Sequence, residues 1–185
     1  MTRRRSAGFT LIELMITVTI VGVLVSAAYV YLKPDPQPID VADQTASMVS
    51  EASRRAVLGG AVRDNVATAL GVTARTRLII EGGTPAVLSI EQLEEDPSPS
   101  STAASWIEIR REALPKQITV SGWTAPAALG SSAPANPLPA GSSKEIYCES
   151  NGRCTGAIVF FAGRHKQARA VILPLGGTPV TFTSW

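Results

Sequence analysis

From Phe9 to Leu32 the chain runs through 24 residues with a single formal charge, the carboxylate of Glu13. As a helix this run is about 36 Å long, more than the roughly 30 Å of bilayer hydrocarbon, and permits a tilted span. An ionised side chain near the middle of a bilayer costs about 2.5 to 3.5 kcal/mol on insertion scales, and intramembrane acids generally mark function. A charge left unpaired in low dielectric is expensive. Glu13 therefore needs a partner, and the segment around it is expected to be a membrane helix before it is anything else.

The flanking residues supply a candidate. Cleavage between Gly8 and Phe9 would leave Phe9 with a free α-amine, cationic below its unperturbed pKa of about 8. Phe9 and Glu13 are i and i+4 on one helix, and on staggered neighbouring helices the same two charges would set register. A secretory signal would instead be cut after its apolar segment at small residues. Ser26-Ala27-Ala28 imitates such a site, but the run before it exceeds a normal signal core and Tyr29-Val30-Tyr31-Leu32 follow at once. The apolar segment is expected to stay on the mature chain. Arg3, Arg4 and Arg5 precede it without an acid and keep the amino terminus cytoplasmic. Tyr29 and Tyr31 suit the outer interface, and Gly22 with Ser26 forms a small-xxx-small pair that lets another helix approach.

The stretch Gly8-Phe9-Thr10-Leu11-Ile12-Glu13-Leu14 behind this basic leader resembles the signal of the type IV pilins and type II secretion pseudopilins. The resemblance implies removal of residues 1–8 by a prepilin peptidase, N-methylation of Phe9, and a role for Glu13 in filament assembly through a neighbour's terminal amine. It implies a bacterial inner-membrane, single-pass protein with a periplasmic carboxyl-terminal domain, held in lipid until extraction by an assembly platform. Its partners would be other pilin or pseudopilin subunits. In such proteins a long amino-terminal helix is half membrane span and half the spine of a globular domain packed on antiparallel β-sheets, an α+β fold.

The domains expected are the leader 1–8, a membrane helix 9–33, a periplasmic helix 34–60 after a proline-rich break, and a β-rich domain 61–185. Pro34, Pro36 and Pro38 remove donors and fix φ, so one straight continuous helix is not expected. From Ile39 to Leu58 small apolar residues return at helical spacing (Ile39, Ala42, Ala46, Val49, Ala52, Ala56), and Gly59-Gly60 reads as a stop. Beyond Gly60 the texture is β. Strands are expected at 76–81 and 86–91 around a glycine turn, at 106–110, at 118–120, and at 170–175 with 179–183. Gly122 to Ser143, rich in Pro, Ala, Gly and Ser, reads as a long loop that buries little.

Cys148 and Cys154 flank Glu149-Ser150-Asn151-Gly152-Arg153. Setting the two cysteines opposite each other leaves a three-residue hairpin loop with Gly152 in the left-handed position. One structural disulfide in an oxidising compartment is the expectation. His165 is the sole histidine. It sits in a basic turn with Arg164, Lys166 and Arg169, and a solvated turn is the plain reading. Neither a metal site nor a nucleophile with its base is expected, and no cofactor is implied. The whole chain carries 17 basic and 15 acidic side chains, but the leader holds three arginines and no acid. The remainder has 14 against 15 and gives no reason to expect nucleic acid.

Ala113-Leu114-Pro115-Lys116-Gln117-Ile118-Thr119-Val120 and the run from Ile158 to the terminus resemble the minor class called GspH and its pilus counterpart FimU. That resemblance implies a subunit that primes or caps a type IV pilus or a type II secretion pseudopilus, without enzymatic activity. A membrane-anchored adhesive or ligand-binding module is the other reading. It would display an exposed aromatic patch, with Trp106, Trp123 and Trp185 as candidates.

Overall fold

The computed structural model of the protein describes residues 10–32, 35–126, 134–174 and 179–183, with the side chains of residues 30–32 left aside. The chain divides into a unit that ends at Asp35 and a second that starts at Pro36. The first is one helix, α1 (Leu11–Leu32). Every described side chain from Leu11 to Tyr29 is exposed within the chain, and this stretch is long and apolar enough to cross a membrane. The proline-rich break falls partly on residues 33 and 34, outside the described residues. Asp35 to Gln37 are not helical.

The second unit begins with α2 (Pro38–Gly59). Pro38 takes the first helical position, where its missing N–H costs nothing, and Asp40 accepts the Gln37 N–H at 2.9 Å. Gly60, at φ +71°, ends the helix. One face of α2 is nearly all small, with Ala42, Ala46, Ala52 and Ala56 buried alongside Val41, Met48 and Val49. Short side chains let the helix axis come close to the sheets beneath it.

Two antiparallel sheets receive that face. The first contains β1 (Ala74–Glu81), β2 (Val87–Glu95), β3 (Ala104–Ala113) and β6 (Ser143–Glu149) in the order β3-β2-β1-β6. The second contains β4 (Thr119–Thr124), β5 (Asn136–Pro137), β7 (Ala157–Ala162), β8 (Gln167–Ile172) and β9 (Val180–Phe182) in the order β5-β4-β7-β8-β9. Leu78, Ile80, Leu88, Ile90 and Ile146 from one sheet join Val159, Phe161, Ala170 and Ile172 from the other in a single core around α2. Alternation supplies these residues, since every second side chain of a strand faces the same side. The strand β7 is an exception, buried on both faces, with Ile158 and Phe160 forming a separate cluster with Val171.

Three features differ from the sequence expectation. A short helix, α3 (Asp64–Leu70), stands at the start of the stretch expected to be β-rich, ahead of the first expected strand. Val62 and Val66 pack it against Leu93 and Trp106. Second, the stretch read as one long loop from Gly122 to Ser143 begins in β4 and contains β5. Gly122 pairs with Pro137 and Trp123 with Asn136. Gly122 sits at φ +152°, and a Cβ there would overlap the Asn136 carbonyl oxygen, so this pairing requires glycine. Leu138 is buried, contrary to the expectation that the stretch hides little. Residues 127–133 lie outside the described residues. Third, the segments flanking the two cysteines do not continue as one hairpin. They diverge, β6 into the first sheet and β7 into the second.

Glu95 at the end of β2 fixes α3 to the sheet. Arg63 Nε lies 2.5 Å and Arg75 Nη1 2.6 Å from its two carboxylate oxygens, and its side chain is 10% exposed. Burial opposes ionisation, but hydrogen bonds from the Arg63 side chain and backbone, with both guanidinium charges, outweigh it and lower the pKa. A depressed carboxylate pKa stabilises the fold above the unfolded value of about 4.3, and the contribution disappears as pH falls through the folded value. Glu95→Gln is expected to lower stability at neutral pH and to flatten the loss of stability on acidification below about pH 4. Urea unfolding at neutral and acidic pH measures both.

Candidate functional site

The candidate site is the start of α1. Thr10 precedes the first helical residue, and Glu13 is the third inside it. The Thr10 N–H and hydroxyl both donate to Glu13 Oε2, at 3.0 and 2.9 Å, while the Glu13 N–H donates to Thr10 Oγ1 at 3.3 Å. This reciprocal exchange is a capping box, in which a hydroxyl and an acid three residues apart satisfy donors that the first helical turn leaves open. The positive end of the helix dipole also favours a carboxylate there.

Three other hydroxyls of the apolar helix are satisfied within it. Thr17, Thr19 and Ser26 donate to the carbonyls of Glu13, Met15 and Gly22 at 2.7 to 2.8 Å. Hydroxyls bonded back to the preceding turn can be carried through hydrocarbon. Ser26 and Gly22, read from sequence as a surface for another helix, are thus linked to each other.

Gly8 and Phe9 lie outside the described residues, as does any pairing between the Phe9 nitrogen and Glu13. What the structure brings to Glu13 is Thr10, a residue that the sequence reading passed over. The signal was present in the T-x-x-E spacing of the same heptapeptide.

The two cysteines meet at the crossing between the sheets. Cys148 and Cys154 are joined with S–S 2.05 Å, and Cα atoms 4.0 Å apart. The Glu149 N–H donates to the Arg153 carbonyl at 2.8 Å, and the Gly152 N–H to the Glu149 carbonyl at 2.9 Å. Gly152 takes φ +81°. Its carbonyl accepts the Ser53 hydroxyl at 2.8 Å, which seats the closed turn on α2.

The other singled-out residues fall elsewhere. Arg164, His165 and Lys166 are exposed in the β7–β8 turn, closed by the Gly163 N–H donating to the Lys166 carbonyl at 2.9 Å. Arg169 lies beyond it on β8, over the ring of Phe182 at 5.0 Å. Trp106 is half-buried, with the Arg77 guanidinium 4.5 Å from its ring centre. The ring of Trp123 carries Lys144 Nζ at 3.8 Å. Burial lowers the pKa of that amine against the pull of Glu145. Trp185 lies outside the described residues. The two described tryptophans therefore have a cation on the ring and do not form an open aromatic patch.

Residues 3–29 match the family model of the prokaryotic N-terminal methylation motif. The chain carries a prokaryotic N-terminal methylation motif at its amino terminus. No curated protein matches the sequence. A solved structure, that of the minor pseudopilin EpsH from the type 2 secretion system of Vibrio cholerae, aligns with a TM-score of 0.47 at 13% identity. The alignment covers 80% of this chain and 98% of that one.

Thr10→Val removes the hydroxyl of the capping box. In the full chain in detergent micelles, amide exchange over the first turn of α1 is expected to quicken several-fold with the β-sheets unchanged, in line with the roughly 0.5 to 2 kcal/mol a cap contributes. Replacing both Cys148 and Cys154 by Ser is expected to cost about 2 to 2.5 kcal/mol of unfolding free energy, the chain-entropy value for so short a loop. Chemical denaturation of oxidised wild type against the double variant gives this figure.

Proposed function

We propose that the protein is a minor pilin or pseudopilin, a structural subunit that primes or caps a filament and sits at or near its tip. A pilin-type amino terminus makes it a pilin-like, membrane-anchored subunit that assembles with other pilin subunits. The observation that carries the reading is the agreement of the motif match over residues 3–29 with an apolar helix whose single acid lies at its first turn.

In this reading a prepilin peptidase cuts after Gly8, and Phe9 becomes the methylated terminus. α1 remains in the inner membrane with the amino terminus cytoplasmic and the globular unit periplasmic. The capping box has a chemical consequence here. While the subunit waits in lipid, Thr10 supplies two donors to Glu13, which lowers the cost of holding that carboxylate in apolar surroundings. In a filament, the terminal amine of a neighbouring subunit offers a full positive charge. A charge-assisted contact is roughly twice as strong as a neutral hydrogen bond, so exchange of partner favours assembly. The apolar side chains of α1 leave lipid for the packed helices of the filament core, and burial of apolar surface is retained.

The motif is shared by pili and secretion pseudopili, and the same residues serve both. Nothing in the placement of Trp106 or Trp123 favours the adhesive reading.

Replacing Glu13 with Val is expected to leave leader removal intact and to reduce entry into filaments at least tenfold. Mass spectrometry of the mature amino terminus and quantitation in sheared filaments read the two effects separately. Gly8→Val should instead retain residues 1–8. Glu13→Val subunits at wild-type levels in filaments would sink the assembly role, and a wild-type chain that keeps its leader in a host with a working prepilin peptidase would sink the family reading.

A further inference from the structure

With ten residues, β3 is the longest edge strand of either sheet, and its outer side is open. The other edges are short or covered among the described residues. β5 and β9 have two and three residues. The far edge of the first sheet, β6, is bridged by the disulfide turn, where the Thr155 N–H donates to the Tyr147 carbonyl at 2.7 Å. β3 contains neither proline nor lysine, two residues that commonly spoil an edge for pairing. Ser105, Ile107, Glu108, Ile109, Arg111 and Ala113 are exposed along it.

The backbone fixes which groups of this edge are free. The Leu114 N–H donates to the Ala86 carbonyl at 2.8 Å, and the Asp96 N–H to the Ala103 carbonyl at 3.0 Å. In an antiparallel sheet, successive residues turn their backbone groups to one neighbour and then the other. Arg110 lies opposite Ile90 and Glu108 opposite Glu91, so Ile109 is an extra, bulged residue. Counting inward from both ends, Ser105 and Ile107 turn toward β2, as do Arg110 and Glu112. Trp106, Glu108, Arg111 and Ala113 therefore present their N–H and C=O groups outward.

A second copy of the same strand, run antiparallel, meets these groups along their whole length in one register. Setting Glu108 opposite Arg111 also sets Trp106 opposite Ala113, and the two-fold axis repeats both pairs on its other side. Each outward residue then faces another outward residue. The bulge adds the same residue to both copies between these pairs, so it does not break the match. Opposing Glu108 to Glu108, or Arg111 to Arg111, would set like charges together and leave other outward groups facing residues turned toward β2.

The charges of β3 are two arginines and two glutamates, and each has a place in that register. Glu108 and Arg111 lie on the face turned away from α2, 3.1 Å apart, with Glu81 3.2 Å from Arg111. Across the axis each meets its opposite. Glu91, the next acid on that face, is held by Arg77 at 2.6 Å. Arg110 and Glu112 lie on the α2 face, where Glu51 holds Arg110 at 2.6 Å and Gln44 donates to Glu112. Ile109 lies beside the axis and Ile107 close to it. Both are more than a third exposed in the single chain, so pairing covers apolar surface as well.

We propose that two copies of this chain pair through β3, edge to edge and antiparallel, so that their four-stranded sheets continue into each other across a two-fold axis. The pairing involves the globular unit alone and does not depend on the assembly role given to Glu13. It supplies a mode of self-association separate from any that runs through the apolar helix.

The test uses the full chain in detergent micelles, at low and high ratios of protein to micelle, with amide exchange read residue by residue by NMR. Exchange at Trp106, Glu108, Arg111 and Ala113 is expected to slow about tenfold at the high ratio, with β5 and β9 unchanged. Glu108→Arg and Arg111→Glu are each expected to lose that protection alone, since each sets like charges opposite on both sides of the axis. An equal mixture of the two variants should regain it, because every such pair is again of opposite sign. If either variant unfolds, a short bis-maleimide is expected to join Ile109→Cys chains to each other and to leave Ser98→Cys chains single. Unchanged exchange at the four amides overturns the proposal. So does association that leaves them unprotected, which would assign it to the apolar helix. A folded mixture that stays unpaired, or Ile109→Cys chains that do not join, overturns it as well. Protection that needs a different subunit also overturns it, and gives the edge to a foreign strand.

Discussion

A carboxylate inside an apolar helix has to be supplied with donors, and the rest of the molecule can be followed outward from how that is done. In α1 the donors come from Thr10, three residues upstream, and they are the N–H and hydroxyl that a helix start leaves available anyway. Placing the acid at the first turn rather than the middle lets it complete the helix instead of disrupting it. The same placement leaves Glu13 at the end nearest any new amino terminus. The side chain that caps the isolated helix is also the one that the proposed assembly would offer to an incoming cation, and the capping hydrogen bonds are the ones such a partner would displace.

In the globular unit the corresponding constraint is the thin face of α2. Alanines at 42, 46, 52 and 56 allow two sheets to share one helix and one core. Larger residues would hold the sheets apart and leave voids, which interiors packed like organic crystals do not tolerate. Because β1 and β8 both rest on α2, the helix is the common floor of the domain, and the disulfide closes the point where the chain steps from one sheet to the other.

What could be read from sequence followed the range of the interaction concerned. The alanine spacing and glycine stop of α2, the β1–β2 hairpin and the closing β8–β9 pair depend on neighbours within a few residues, and each carries its own pattern. The β1–β6 pairing joins residues some seventy positions apart, and no local pattern reports it. The same limit explains why β6 and β7, adjacent in sequence across a tight turn, could not be assigned to different sheets. The helix α3 was missed because it has seven residues and a single fully buried side chain, Val66, too few points for a period to be recognised. β5 was missed because two residues, one a proline, do not look like a strand. At the site, Glu13 stood out as the single charge in its run, whereas Thr10 was overlooked although its spacing to Glu13 spells a helix cap.

The ends of α2 are each pinned by a turn distant in sequence. The Lys166 side chain holds Gln37 at the start, and the carbonyl of Gly152 holds Ser53 near the finish. Tension applied through the apolar helix must enter the globular unit at Pro36, ahead of α2. It is then carried as shear along a helix in contact with both sheets, so strands are loaded together and no edge strand is peeled alone. A pull applied beyond β9 would load that three-residue edge strand first, with the Thr181 hydroxyl bonded to Asp43 as its tie to α2.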